Sequence, residues 1–194
     1  MELVHVWSRR WVRVLCLVMA VGFVAFVYFL SRYESRQRAQ CNQIEDFALQ
    51  YMPYQAYMND APRAPSPYRA GKLLLIDCDY RRVDSTVQDL LPDALRAVTP
   101  GEVGTVVWLQ WDSQVRGRYG SVMGRAGYQH ECTLTAFDVT HPASPVKVVE
   151  GVHILGPPPP NSIDASEAGD LGSPGIGTMP YDEIIRYLAA LPRH

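Results

Sequence analysis

No C-x-x-C and no H-x-x-x-H spacing occurs in the 194 residues, and no N-x-[ST] sequon forms at Asn42, Asn59 or Asn161. The first absence removes the commonest zinc patterns. The second leaves nothing that points to a eukaryotic secretory route. Internal repeats and sustained heptads are missing as well, so neither a solenoid nor a coiled coil is expected. Charge is missing from one stretch altogether, residues 14–30, "VLCLVMAVGFVAFVYFL". No A-x-A site follows that run, and Leu15 and Gln40, which precede Cys16 and Cys41, are too large for lipoprotein processing. A cleaved leader is therefore disfavoured.

What is present begins with that run. Its seventeen residues span about 25 Å as a helix, the short end of a membrane crossing. Arg13 and Val12 extend it if the arginine reaches back to the surface. Trp7 and Trp11 flank one end, Tyr28 and Tyr33 the other, as interfacial aromatic belts do. We expect an uncleaved single-pass anchor, with the lipid bilayer contacted through residues 12–30. The arginines tie across it: Arg9, Arg10 and Arg13 before, Arg32, Arg36 and Arg38 after. Charge thus leaves the orientation open. A short inner N-terminus with the C-terminal domain outside the cytoplasm is the arrangement we expect.

The net charge of −2 conceals an asymmetry. Residues 1–38 carry six arginines against Glu2 and Glu34, and the remainder is at −6. A domain of that sign repels phosphate backbones, so nucleic acid is not expected as a partner. An apolar content of 47% against 20% charged residues fits a globular chain.

Residues 31–52 contain neither glycine nor proline and are expected to continue the helix until Pro53 stops it. Residues 31–71 then form a juxtamembrane helix and a proline-rich linker, and 72–194 the domain. "KLLLIDC" (72–78) is an apolar run suited to a buried strand. A short helical piece lies in 85–98. Strands are expected at 102–111, 115–121, 127–139 and 145–155, with "DSQ" and "THPAS" as turns. "TMPYDEIIRYLAAL" closes the chain as a helix with Tyr181, Ile184, Ile185, Leu188 and Leu191 on one face. The expected fold class is α+β: a small antiparallel meander packed against a C-terminal helix.

The stretch "GYQHECTLTAFDV" (127–139) brings His130, Glu131 and Cys132 together in sequence. On a strand, alternation puts His130 and Cys132 on one face with Leu134 and Ala136, and Glu131 on the other. Neighbours two apart in a strand are nearly 7 Å distant, too far for a nucleophilic Cys–His pair. The remaining ligands would have to come from His141, His153, Asp138 or Cys78 without any zinc spacing. The stretch therefore reads as a core strand, and no metal, cofactor or catalytic residue is assigned. Asp77 and Asp79 share one face of a strand end, where paired carboxylates bind a cation or act as acid and base; a solvated strand end beside Arg81 and Arg82 is the plainer reading. "GDLGSPGIGT" (169–178) lacks the P-loop lysine, and Asp182 and Glu183 would repel phosphate there. "GPPPPN" (156–161) is an extended spacer. Trp108 and Trp111 fall on opposite faces of their strand.

Taken in order, "RAVTPGEVGTVVWLQW", "VRGRY", "YQHECTLTAFDV", "GPPPP" and "PYDEIIRYLAALP" resemble an uncharacterised group of bacterial exported or membrane-anchored domains over residues 72–192. The resemblance implies an exported domain. It carries no activity, so it brings no site residue with it.

The function expected is binding, or organisation of the cell envelope, by a tethered extracytoplasmic domain. A tethered hydrolase using Asp77, Asp79 or the His130/Cys132 face is the alternative. Cys78 and Cys132 either form a disulfide or pack as free thiols. The bond requires the strand at 72–78 to lie beside that at 127–139. Cys41 is the odd thiol.

Overall fold

A computed structural model describes residues 2–51, 61–119, 125–159 and 175–194. The chain divides into two compact units, Met1–Asn42 and Gln43–His194. One long helix, α1 (Glu2–Tyr51), supplies the described residues of the first and the start of the second. It runs up to the residue before the expected break at 52–53, which lies outside the described residues.

In the first unit, Val18, Met19, Phe23, Val24, Phe26 and Phe29 are all exposed. Arg32 sits over the Tyr28 ring, 5.8 Å from its centroid. Among the described residues no helix is long and apolar enough to cross a membrane. Side chains in this run are described only from Val18 to Leu30, Ala20 apart, short of the roughly 20 residues that a crossing takes. The start of the span expected over 12–30 lies outside them.

The second unit is an α+β domain built on a sheet of strands β1 (Lys72–Asp77), β2 (Arg82–Val83), β3 (Val103–Tyr119), β4 (Arg125–Asp138), β5 (Val146–Leu155) and β6 (Gly175–Ile176). The order is β2-β1-β3-β4-β5, with β6 beside β4. Helices α2 (Ser85–Leu90) and α3 (Tyr181–Ala190) complete it. The sheet alternates two cores. Leu73, Leu75, Val107, Leu109, Leu134 and Ala136 face α2 and α3, meeting Val87, Leu91, Ile184 and Leu188. Leu74, Ile76, Val106, Trp108 and Phe137 face the other way, onto Ile44, Ala48 and Tyr51 of α1. Strand β1 is buried on both faces, which is why its sequence is an unbroken apolar run.

Two expectations are corrected. The sheet is mixed rather than antiparallel: β3, β4 and β5 form a meander, but β1 runs parallel to β3 with α2 in the connection. A strand apolar on both faces followed by a helical piece is the mark of such a crossover. The second correction concerns "DSQ". Asp112, Ser113 and Gln114 do not turn; they continue β3 opposite Glu131, His130 and Gln129. Polar residues suit this part of the ribbon because it projects into solvent, and Gln114 donates to Glu131 at 2.9 Å. Residues 120–124, between β3 and β4, lie outside the described residues.

Strand β2 covers only the last two residues of β1, so the rest of that edge needs other partners. Gln88, a buried residue of α2, supplies them. Its Oε1 accepts from the Leu75 N–H at 2.9 Å, and its Nε2 donates to the carbonyls of Leu73 and Ala97 at 3.1 and 3.0 Å. The Leu73 N–H reaches the Leu95 carbonyl at 2.7 Å. Residues 61–71 are likewise tied to the sheet. The Ala64 N–H donates to the Lys147 carbonyl at 2.9 Å, and Thr105 Oγ1 makes 2.8 Å bonds to both the N–H and the carbonyl of Ala70. That approach demands glycine next door: a Cβ on Gly104 would lie 2.4 Å from the Ala70 carbonyl oxygen.

Helix α3 begins at Tyr181 with Pro180 as its cap, and no side chain caps it. Ile184 and Leu188 are fully buried, whereas Ile185 only packs against the edge of the core. Leu188→Ala should cost about 2–5 kcal/mol, and Ile185→Ala clearly less, in denaturant unfolding of the full chain in detergent. Gln88→Leu leaves a buried N–H without an acceptor and should cost about 1–3 kcal/mol in the same measurement.

Candidate functional site

A cleft of about 560 Å³ opens at the carboxyl end of β1. Ligand sites of α/β sheets recur at the carboxyl ends of parallel strands. The wall begins with Asp77, the last residue of β1 and nearly buried. Its Oδ1 accepts from the backbone N–H groups of Asp79 and Tyr80, at 2.8 and 3.0 Å. This side chain thereby shapes the turn that sends the chain back as β2, with Arg81 in the left-handed region at φ 52°. Arg82 lies over the Tyr80 ring, 5.0 Å from its centroid.

Asp84 joins the turn to the floor. Its Oδ1 caps α2 by accepting from the Val87 N–H at 3.1 Å, and its Oδ2 accepts from Trp111 Nε1 at 3.2 Å. Trp111 in turn meets Tyr181 of α3 edge to face, with ring centroids 5.8 Å apart. Burial, then the Asp84 charge, raises the Tyr181 hydroxyl above its ordinary value. The far wall is the β3–β4 ribbon, where Ser113 Oγ and His130 Nδ1 lie 2.9 Å apart across the strands.

Of the residues singled out in the sequence, Asp77, Asp79 and His130 line this one cleft. Cys132 does not: it lies on the same sheet face but is sealed beneath, wholly buried. Glu131 takes the opposite face, as the pleat requires, and pairs with Gln114. His153 is elsewhere, 3.2 Å from Thr133 Oγ1. Among the described residues no three of His, Cys, Asp and Glu are grouped so as to hold a metal ion.

Cys78 and Cys132 are free thiols. The condition for a bond fails, because β3 lies between β1 and β4. Two strand spacings put the backbones about 9–10 Å apart, beyond the reach of a disulfide. Alternation adds a second obstacle. Cys78 packs with Leu74 and Ile76 on one sheet face, and Cys132 with Leu134 and Ala136 on the other. Burial, reinforced by Asp79 and Asp77, pushes the Cys78 thiol up to about 12. Burial, with smaller electrostatic contributions from Cys78 and Asp84, does the same for Cys132.

The sequence reading missed Asp84, Tyr181 and Asp112 as wall residues. An aspartate directly before "STVQDL" is a helix-cap signal, so Asp84 was within reach; the meeting of Trp111 with Tyr181 across 70 residues was not. No protein-family model, no curated protein and no solved structure matches the chain.

The thiols provide a check. A thiol pushed up to about 12 stays protonated through pH 9, and its contribution to stability is lost only as pH rises from the ordinary value of about 9 through 12. Iodoacetamide at pH 8 should leave Cys132 unmodified in the folded chain and label it once denaturant is added, as read by peptide mass spectrometry. Rapid labelling without denaturant would contradict the burial described.

Proposed function

We propose that this chain is a single-pass membrane-tethered domain that acts outside the cytoplasm by binding, with the cleft at the end of β1 as its recognition site. The observation that carries the tether is the bare apolar surface of α1, where Val18, Phe23, Val24, Phe26 and Phe29 face solvent with no protein partner among the described residues. A patch of that kind calls for lipid or protein to cover it, and it lies within an uncharged run flanked by tryptophan, tyrosine and arginine. The extracytoplasmic side is supported by the resemblance to exported domains.

Binding rather than reaction is supported by what the cleft residues are already engaged in. Asp77 shapes the turn, and Asp84 holds both the α2 cap and the Trp111 indole. Both cysteines near the site, the partly buried Cys78 and the buried Cys132, have raised thiols, the reverse of an activated nucleophile. A tethered hydrolase is the second reading, favoured by the shared cleft and by the 2.9 Å approach of Ser113 to His130.

Reporters fused after His194 test the tether and its orientation in a bacterial host. A reporter active only outside the cytoplasm should give signal, and the protein should stay with the membrane through alkaline carbonate washing. Signal from a cytoplasm-only reporter alone would reverse the orientation, and release by carbonate would remove the tether.

A further inference from the structure

The β3–β4 ribbon leaves one strand edge open beside the cleft. The last rung between β1 and β3 is the Cys78 N–H to Leu109 carbonyl bond at 2.9 Å. Leu109 therefore directs its backbone polar groups toward β1, and alternation directs those of Trp111, Ser113 and Val115 to the same side. The other edge of the ribbon confirms the phase. The carbonyls of His130 and Tyr128, cross-strand partners of Ser113 and Val115, accept from the Gly156 and Gly177 N–H groups on the far side of β4. Beyond Cys78 no strand covers Trp111, Ser113 or Val115 among the described residues. The single local cover is Asp112, whose Oδ1 accepts the Ser113 N–H at 2.7 Å. A register shift after Val115 ends the regular edge.

We infer that this edge takes up an extended, lysine- or arginine-bearing peptide of a partner protein by strand addition, continuing the line of β1 along β3. The inference rests on the binding reading above and names its ligand class. An added strand would gain main-chain bonds to Trp111, Ser113 and Val115, and its alternate side chains would enter the cleft. There they would meet the Trp111 ring and the acidic residues Asp77 and Asp79, with Asp112 at the edge itself, against Arg82 as the one arginine among the described lining residues. An aromatic floor and an acidic wall together favour a cationic side chain. The same charge disfavours a second copy of this edge, since pairing two copies would bring their carboxylates together.

The test uses the full chain in detergent micelles and three fluorescent decapeptides followed by anisotropy. The first alternates valine and lysine, the second alternates valine and glutamate, and the third is the first with alternate backbone nitrogens methylated. Only the first should bind well. Loss of its main-chain hydrogen bonds should weaken the methylated peptide at least about tenfold. In the protein, Ser113→Pro removes an N–H that β4 does not use, a change that edge strands tolerate, and should weaken binding by a similar factor. Asp79→Asn and Asp112→Asn should each cost about two- to threefold, with the loss shrinking as salt is raised.

Equal binding of the methylated and unmethylated peptides would overturn strand addition and leave only charge attraction. Absence of binding by all three would overturn the ligand class. Self-association that Ser113→Pro abolishes would make the occupant a second copy. Cleavage of the valine–lysine peptide would overturn the binding reading itself in favour of a hydrolase, and the reporter result is independent of all four outcomes.

Discussion

Burial of β1 on both faces is the constraint around which the domain is arranged. Every residue from Leu73 to Asp77 is buried, so apolar material must be supplied above and below the sheet at once. Helices α2 and α3 cover one face, and the last turns of α1 cover the other. A strand in that position also has backbone groups that water cannot reach, and each must find a partner. Strand β3 satisfies one edge. On the other, β2 is too short, and backbone bonds from residues 84, 95 and 97 are joined by the side chain of Gln88, which makes two hydrogen bonds to β1 and a third to the Ala97 carbonyl. A single amide thereby satisfies one N–H and one carbonyl of β1 and ties them to Ala97.

The same arrangement explains where the domain is left open. The β3–β4 ribbon outruns β1 by about half its length, since β1 pairs with β3 only as far as Leu109. Past that point one apolar core ends, the other reaches only to Trp111 and Cys132, and the ribbon turns polar, with Gln110, Asp112, Ser113 and Gln114 exposed. The cleft forms in the step between the end of β1 and the projecting ribbon. Its residues come from the β1–β2 turn, the start of α2, the ribbon and the start of α3. The Asp84–Trp111–Tyr181 contacts join these elements at their one common point.

The α+β class, the buried strand at 72–77, the short helix after it and the apolar face of α3 were legible in the sequence because each rests on local periodicity. The split of His130 and Cys132 from Glu131 was legible for the same reason: the pleat acts on consecutive residues. What was not legible depends on pairing between distant segments. The apolar run and the helical piece after it hint that β1 has a parallel partner, but not that β3 is that partner and separates β1 from β4, and this order decides the fate of Cys78 and Cys132. Both cysteines have apolar neighbours two and four residues away, but only the strand order reveals that those neighbours face opposite ways. "DSQ" misled because its residues favour turns, and a solvated ribbon accepts them equally well. Gln88 gave no signal, since a glutamine in a short amphipathic helix ordinarily faces water.

Backbone amide hydrogen exchange resolved residue by residue, on the full chain in detergent, tests the arrangement most directly. The N–H groups of Leu74, Leu75 and Ile76 should be among the slowest in the domain, with Leu75 held by Gln88. Those of Trp111 and Val115, on the open edge of β3, should exchange orders of magnitude faster than that of Leu109, only two residues before Trp111. Protection at Trp111 and Val115 equal to that at Leu109 would mean that the edge is already covered, and fast exchange at Leu75 would mean that β1 is not the strand on which the domain is built.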